Sequence, residues 1–323
     1  MTTLYALSLP QIAFVLVHLC LTPFKHLVGL KGRIIVYFIA SSYTLFTLLY
    51  GYFIGAHDLR VERFTYTSED LPQSFDGFRI VHFSDLHLGS FVHAPTALQQ
   101  VIDAIMNESP DLIVFTGDLV NCSSNEVVPY ATLLATIKAK HGVVAILGNH
   151  DYGTYNTALT TAQQANEAER IKAAIHTMGW HLLLNESKVI YADKDSNSCI
   201  YIAGTENETA RIKKADAKQT WQKIPQHSFV IALTHSPEYW ETLYATSAPN
   251  LTLSGHIHGY QYAPMRLDLL LDALRGTHSV GSYTNKQGAT LYVSRGVGVS
   301  AIMPLRYGAW PEINVITLTK KRL

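Results

Sequence analysis

Side chains that can bind metal ions cluster in five short motifs of this 323-residue chain. The motifs are Asp85-Leu86-His87, Gly117-Asp118, Gly148-Asn149-His150-Asp151, His235 and Gly255-His256-Ile257-His258. In extended backbone, side chains two residues apart project to the same side, so Asp85 and His87 can hold one ion together. The set combines carboxylates, imidazoles and an amide without a thiolate. Such ligands suit Mn, Fe or Zn better than a structural zinc cage.

Seven of these side chains are candidate ligands for two divalent ions. They are Asp85, His87, Asp118, Asn149, His235, His256 and His258. Two ions about 4 Å apart can hold a hydroxide between them and clamp a phosphoryl group for in-line attack. Such a pair shares one carboxylate, and Asp118 is the predicted bridge because it stands between the two groups of ligands in chain order. Taken singly, each motif has an ordinary alternative as a turn, a cap or a core histidine. The metal hypothesis therefore depends on their joint occurrence.

Each motif follows a short apolar run that is typical of a buried strand. The runs begin at Phe78, Asp111, Gly142, Ser228 and Leu251. Because ligands collect beyond the carboxyl ends of strands in open α/β sheets, five strand ends can present these side chains to one cleft. Residues 94–107 and 158–178 have helical composition, whereas residues 188–203 and 289–293 are predicted as further strands. Without an internal repeat or low-complexity tract, residues 65–323 are predicted to form one catalytic domain.

Two uncharged stretches precede this domain, at residues 1–24 and 34–56. Each is long enough to cross a hydrocarbon core of roughly 30 Å. Residues 1–60 are therefore predicted to be a membrane anchor with helices at about 4–22 and 34–56. The alternative for the first stretch is a cleaved signal peptide, which the lack of a basic start disfavours.

Charge indicates the orientation of the chain in the membrane and the kind of partner. Lys25, Lys31 and Arg33 lie between the predicted spans, against Arg60 and Arg63 after the second. The positive-inside rule then predicts a multi-pass protein of the cell (inner) membrane with its catalytic domain on the extracytoplasmic side.

The composition is 48% hydrophobic and 15% charged, which is apolar for a soluble protein, so the lipid bilayer is an expected partner. Lys plus Arg equals Asp plus Glu at 25 each, so no nucleic-acid partner is expected.

The motif order DxH, GDxx, GNH(D/E), H, GHxH resembles the calcineurin-like metallophosphoesterase superfamily. The resemblance implies an α/β fold, a four-layer α/β/β/α sandwich of two mixed sheets, preceded here by the two predicted transmembrane helices. It implies that Asp85, His87, Asp118 and His258 hold the first metal, and that Asp118, Asn149, His235 and His256 hold the second. It further implies that His150 contacts the phosphate and protonates the leaving oxygen, and that Asp151 orients His150.

The C-terminal segment is similar to the bacterial membrane-associated phosphodiesterase branch of that superfamily. The similarity lies in Val293-Ser-Arg-Gly-Val-Gly-Val-Ser300, Pro304-Leu-Arg306 and Pro311-Glu-Ile313. The branch includes membrane-associated phosphodiesterases and enzymes that hydrolyse the pyrophosphate of UDP-2,3-diacylglucosamine. The resemblance therefore implies cleavage of a phosphodiester or pyrophosphate bond by a metal-bridging hydroxide, with a lipid-linked substrate ahead of soluble ones. The alternative is a catalytically silent membrane scaffold or sensor. The branch usually reads GHTHGGQ, so Ile257 and Tyr260 leave the substrate-facing rim less well predicted than the ligands.

Three further features have two interpretations each. The leucines of residues 267–274 fall at helical spacing and predict an amphipathic helix, which either packs on the domain or lies at the membrane surface to guide a lipid substrate. Arg295 and Arg306 are candidates for phosphate contact or for structural ion pairs. Residues 152–155 either line the cleft beside His150 or form a simple loop.

Overall fold

The computed structural model describes residues 11, 14–24, 29–192, 195–300 and 303–322. The predicted first membrane helix, at about 4–22, lies partly outside the described residues, and its described part is helical over residues 14–21. Helix α1, Leu30–Phe53, covers most of the predicted second span. Among the described residues, one helical segment, Leu30–His57, is long and apolar enough to cross a membrane. The structure therefore supports the second predicted span and does not establish the first.

The last turns of α1 pack against the rest of the chain, whereas its earlier turns are exposed. Thr47, Leu48 and Gly51 are buried, while Phe38 is exposed. The backbone N–H of Arg306 donates to the Gly51 carbonyl at 3.1 Å. A Cβ at Gly51 would lie 2.9 Å from the Arg306 carbonyl oxygen, so glycine is needed for this close approach. The end of α1 is thus joined to the C-terminal part of the chain.

The strands form two mixed six-stranded sheets. The order in the first sheet is β1 (Arg60–Ser68), β12 (Glu312–Lys320), β2 (Arg79–Phe83), β3 (Leu112–Phe115), β4 (Val143–Ala145) and β5 (His181–Leu182). Strands β2 to β5 are parallel, and β12 runs antiparallel to β2 and parallel to β1. The parallel strands β2, β3 and β4 all end at the edge where the first three motifs begin.

The second sheet also has four consecutive parallel strands, but it carries one antiparallel strand at each edge. Its order is β10 (Gly281–Thr284), β11 (Thr290–Val293), β9 (Leu251–Ser254), β8 (Val230–Leu233), β7 (Asp195–Gly204) and β6 (Glu186–Ala192). The four inner strands are parallel and the two outer strands are antiparallel to their neighbours. All five runs predicted as strands are confirmed as β2, β3, β4, β8 and β9. Of residues 188–203, predicted as strand, the described residues 188–192 and 195–203 belong to the antiparallel pair β6 and β7.

The two sheets pack face to face, and helices cover their outer faces. Buried aliphatic side chains fill the space between the sheets, including Ile80, Val114 and Val144 from the first and Ile202, Leu233 and Leu253 from the second. Helices α2 (Pro95–Asn107), α3 (Ala131–Leu134) and α4 (Thr161–Thr177) cover the first sheet, and α5 (Ala217–Trp221) and α6 (Trp240–Ser247) cover the second. Helix α7 (Leu267–Arg275) follows the fifth motif. This is the predicted α/β/β/α layering, and it brings the motifs of both sheets to one edge.

Candidate metal centre

Five of the predicted ligands lie in left-handed backbone turns. Their φ angles are between 44° and 77°, at Asp85, His87, Asp118, His256 and His258. Aspartate and histidine tolerate this conformation better than most residues, and such strain is characteristic of functional sites. The predicted pairing of Asp85 with His87 through extended backbone is wrong in its geometry, because β2 ends at Phe83 and both residues lie in the turn beyond it.

Asp85, His87 and His258 form a first group of donor atoms. The Nε2 atom of His258 lies 3.3 Å from Oδ1 of Asp85 and 3.1 Å from Nε2 of His87. One donor atom of each residue lies within 4.8 Å of the others, and all three side chains are buried. This arrangement can surround a single cation.

Asp118, His235 and His256 form a second group. The Oδ2 atom of Asp118 lies 3.2 Å from Nε2 of His235 and 3.7 Å from Nε2 of His87, so this oxygen stands between the two groups. The amide oxygen of Asn149 lies 3.0 Å from Nε2 of His235. The structure therefore brings all seven predicted ligands to one region, with Asp118 where a shared carboxylate would be needed.

The second ring nitrogens of two histidines show that the donor set fits cations. Nδ1 of His87 donates to the Val120 carbonyl at 3.2 Å, and Nδ1 of His235 donates to the Thr116 carbonyl at 2.7 Å. These contacts turn the Nε2 atoms toward the carboxylates, with the tautomer that ligation requires. When these Nε2 atoms carry no proton, their lone pairs and the carboxylate oxygens repel one another unless another positive charge lies among them. Divalent ions satisfy that requirement.

Burial and neighbouring charge give the histidines of the centre different pKa values. Burial lowers the pKa of His87 and of His256 to about 3. Burial also opposes protonation of His235, but the Asp118 carboxylate outweighs it and raises the pKa of His235 to about 9. Burial alone would raise the pKa of Asp118, yet the surrounding histidines, His235 foremost, hold it well below its usual value. At pH 8 the metal-free centre therefore contains an ion pair between His235 and Asp118 beside neutral His87 and His256.

Metal binding at pH 8 is expected to release about one proton per protein from His235, because a ligating imidazole must be neutral. The released proton should diminish toward zero as the pH is raised through about 9, the pKa of His235 in the metal-free state. Below that pH, the affinity for Mn²⁺ should fall as the pH falls. Calorimetric titration with Mn²⁺ in two buffers of different ionisation enthalpy measures the release. A release that does not change between pH 8 and pH 10 would contradict the assignment.

Arg306 supports His258 from behind. Its fully buried guanidinium donates to the carbonyls of Gly298 at 2.9 Å and Ala309 at 3.1 Å, and to Nδ1 of His258 at 3.0 Å. Because a guanidinium can only donate, Nδ1 accepts and the neutral ring carries its hydrogen on Nε2. A cation held by Nε2 would replace that hydrogen, so ion binding requires the contact between Arg306 and His258 to rearrange.

Both arginines of the C-terminal segment make contacts within the protein. Arg295 pairs with buried Glu312 at 2.6 Å, and Arg306 is used by carbonyls and His258. The structural interpretation of both residues therefore agrees with the structure better than phosphate contact does.

His150 lies beside both groups and is oriented by Asn121. A ring nitrogen of His150 lies within 4.8 Å of donor atoms of His87 and Asp118. Its Nδ1 donates to the Asn121 carbonyl at 2.6 Å, and its ring stacks on Tyr155 with centroids 3.8 Å apart. Tyr155 thus lines the cleft, which decides between the two interpretations of residues 152–155.

The Asp151 carboxylate binds backbone amides, and the hydrogen bond seen on His150 goes to the Asn121 carbonyl and not to the predicted Asp151. The carboxylate accepts from four N–H groups at 2.8–3.3 Å, those of Gly148, Asp118, Leu119 and Val120. These bonds join the turn after β3 to the turn after β4. They hold the backbone of Asp118 in place, and a Cβ at Gly148 would collide with the Asp118 carboxylate.

Two positioning residues were not predicted. The Tyr155 hydroxyl accepts from Nδ2 of Asn149 at 2.8 Å, which turns the amide oxygen toward His235. The Glu126 carboxylate accepts from the backbone N–H groups of Gly89, Asn121, Cys122 and Ser123, so it fixes the loop that carries the Asn121 carbonyl. Glu126 closes a capping box with Ser123, and that S-x-x-E pattern could have indicated it. Tyr155 has no comparable local signal.

The layered fold and the donor set together define a class of protein. It is a four-layer α/β protein in which nitrogen and oxygen donors at the strand ends form a site for divalent cations. The model of the calcineurin-like phosphoesterase family matches residues 78–260. The chain belongs to this family and is a metal-dependent phosphoric ester hydrolase.

Several curated relatives share most of the chain. An uncharacterized metallophosphoesterase, YkuE, of Bacillus subtilis is 33% identical over 83% of this chain and 89% of its own length. A transmembrane protein with metallophosphoesterase domain of Danio rerio is 27% identical over 87% of this chain and 62% of its own length. An uncharacterized metallophosphoesterase of Aquifex aeolicus is 27% identical over 81% of this chain and 93% of its own length. The likeness to a relative that is named a transmembrane protein, together with the apolar helix α1, indicates association with a membrane.

Proposed function

We propose that this protein is a membrane-anchored phosphoesterase that cleaves a phosphodiester or pyrophosphate bond in a lipid-linked substrate. The observation that carries the proposal is a converging donor set with His150 beside it, on a domain joined to the end of an apolar helix. The bond between the Arg306 N–H and the Gly51 carbonyl makes that junction, and the side chain of the same arginine contacts His258.

The ligands divide into two sets that share one carboxylate. Asp85, His87, Asp118 and His258 would hold one ion, and Asp118, Asn149, His235 and His256 would hold the other. Bound divalent ions would supply Lewis-acid chemistry that activates water at neutral pH and neutralises phosphoryl charge. The donor set admits Mn, Fe or Zn.

His150 is the proposed general acid. Its Nδ1–H is held by the Asn121 carbonyl, and stacking on Tyr155 restricts the plane of the ring. The protonated ring can then deliver a proton to the leaving oxygen from a fixed position, which is the role of a general acid. His150 is only partly buried, so its proton can be replaced from solvent.

The anchor is proposed to be a helical hairpin with the catalytic domain outside the cell membrane. The described part of the first stretch supports the hairpin, since Nδ1 of His18 lies 2.9 Å from the Tyr37 hydroxyl and the rings of Phe14 and Tyr37 are 4.7 Å apart. A C-terminal alkaline phosphatase fusion that is active in cells would agree with this orientation. An inactive phosphatase fusion with a fluorescent C-terminal GFP fusion would contradict it.

The enzymatic part is tested with the full chain in detergent, Mn²⁺ and bis(p-nitrophenyl) phosphate. Asp118→Asn and excess chelator should each lower the rate by more than about a hundredfold, because loss of even an outer partner of a metal site costs 10–100-fold. Asp103→Asn, which changes an exposed carboxylate on α2, is the matched control and should retain the wild-type rate. Equal rates in all four samples would contradict metal-dependent hydrolysis at this site.

A further inference from the structure

Helix α7 has its apolar face turned outward. Leu270 and Leu274 are 56% and 74% exposed, and Met265, just before the helix, is 89% exposed. The two acidic residues of the helix, Asp268 and Asp272, are 0% and 7% exposed. A helix that packs on its own domain buries the opposite face, so this one presents an apolar surface for something outside the domain.

Hydrogen bonds to Asp272 fix that orientation. Its carboxylate accepts from the side chains of Tyr260, Thr277, Ser279 and Tyr283 and from the backbone N–H of Ser279, at 2.7–3.0 Å. Turning the leucines inward would break these bonds and expose their partners. A buried carboxylate is stable only with such partners, so the exposed leucines are a property of the folded domain.

The apolar face lies near α1. The hydroxyls of Tyr262 and Thr47 are 2.8 Å apart. Met265 follows Tyr262 by three residues, so their Cα atoms are within about 11 Å of each other. The start of α7 is therefore held close to the side of α1.

The contact with Thr47 also sets the depth of this surface. Lys31 and Arg33 mark the polar start of α1, and about 20 residues are needed to cross the hydrocarbon core. Counting from Ile34, the span reaches Phe53. Thr47 lies six residues before that end, which corresponds to about 9 Å along the helix. The domain surface at Tyr262 is thus level with the outer part of the bilayer.

Aromatic residues surround the same contact. The ring of Tyr307 lies 6.5 Å from that of Tyr43, 6.1 Å from that of Tyr262 and 5.7 Å from that of Trp310. Tyr50 of α1 is 6.1 Å from Trp310. Tyrosine and tryptophan are enriched where proteins cross the interface between lipid and water.

The charges beside the apolar face suit anionic lipid. Arg266 and Arg275 stand exposed at the two ends of α7, whereas its acidic residues are buried. Arg266 also pairs with Asp268 at 3.1 Å, so Arg275 is the less neutralised of the two. An apolar helical face flanked by arginines is the composition of helices that lie in the interface plane of membranes.

We propose that α7 and Met265 lie at the boundary between the headgroups and the acyl chains of the same bilayer that holds α1. The domain then has a second attachment to the membrane, which places the loop of the fifth motif at the level of lipid headgroups. The substrate part of this inference rests on the proposed function. The scissile phosphate belongs to a lipid, and this lipid reaches the metal centre while it remains in the bilayer.

The docking itself is tested without any activity measurement. In the full chain, Cys20, Cys122 and Cys199 are changed to serine, and Leu270→Cys then provides a single thiol for the fluorophore NBD. The labelled protein is placed in nanodiscs of phosphatidylcholine and phosphatidylglycerol. Nitroxide-labelled lipid should quench this label by at least about half, because such helices insert roughly 5–10 Å. Tyr191→Cys is the matched control, since Tyr191 is 53% exposed on edge strand β6, and it should be quenched little.

Two results would overturn the docking. One is equal quenching at residues 270 and 191. The other is a blue-shifted label at residue 270 that nitroxide lipid does not quench, because a second protein copy would then cover the face.

The substrate assignment is tested with Leu270→Ser combined with Leu274→Ser, two exposed positions whose change leaves the core intact. Hydrolysis of phosphatidyl-p-nitrophenol in nanodiscs should fall by about tenfold or more, while soluble bis(p-nitrophenyl) phosphate is cleaved as before. Unchanged rates on both substrates would overturn the delivery of lipid by α7. A wild-type chain that cleaves neither substrate would contradict the proposed function instead, and the quenching result would still decide the docking.

Discussion

His150→Gln should lower kcat by about 10²–10⁴-fold for an ester with a poor leaving group, the usual contribution of a positioned general acid. For a p-nitrophenyl ester, whose leaving group needs little protonation, the loss should be much smaller. Bound metal should be unchanged, because His150 is not among the seven predicted ligands and its Nδ1 contacts a backbone carbonyl.

We would measure kcat for two phosphodiesters that differ only in the leaving group, which is p-nitrophenol in one and an alkyl alcohol in the other. The metal content of each sample is determined as well. His176→Gln, at an exposed histidine of α4, is the control for loss of an imidazole. A fall of the same size on both esters would indicate a role in binding phosphate rather than in proton transfer. Loss of metal would indicate a ligand.

Asp151→Asn should destabilise the metal-free protein by about 2–5 kcal/mol. Each oxygen of Asp151 accepts two backbone N–H groups, so an amide NH₂ at either position would face donors instead of accepting from them. The turns after β3 and β4 would separate, and Asp118 would lose its fixed backbone.

Thermal unfolding in excess chelator isolates this effect from metal binding. Asp103→Asn is the control, and it should leave Tm unchanged because that carboxylate is exposed. If Asp151→Asn kept the wild-type Tm but lowered kcat, Asp151 would act on His150 after all, against the contacts seen here.

The convergence of the seven candidate ligands was predictable because it depends on a local pattern. Each motif follows a strand, and parallel strands end at one edge, so convergence followed from the order of the runs. The conformation of the turns was not predictable in the same way. Asp85 and His87 meet through two left-handed turns rather than through the alternation of a strand, and a spacing of two residues is compatible with both.

Contacts between distant loops account for the rest of the site that was missed. Asp151 was assigned to its sequence neighbour His150, but its partners lie 31–33 residues away along the chain or in its own turn. Tyr155 and Arg306 position Asn149 and His258 through the folded arrangement alone. Spacing along a chain carries little information about such pairs.

Periodicity also identified α7 as amphipathic without indicating which face is inside. The leucines of residues 267–274 fit burial equally well, until the bonds of Asp272 to Tyr260, Ser279 and Tyr283 are known. The acidic residues, not the leucines, determine how this helix lies on the domain.

The close packing of α1 on the chain at Arg306 bears on how this enzyme could be regulated. Proteolytic shedding of the domain after α1 would remove the Gly51 carbonyl and uncover the backbone of Arg306, whose side chain contacts His258. A shed domain would therefore lose a backbone partner of Arg306, the residue whose contact with His258 must rearrange when an ion binds. If the chain is anchored as proposed, a soluble fragment released by a protease would differ from the full chain in its affinity for metal as well as in its location.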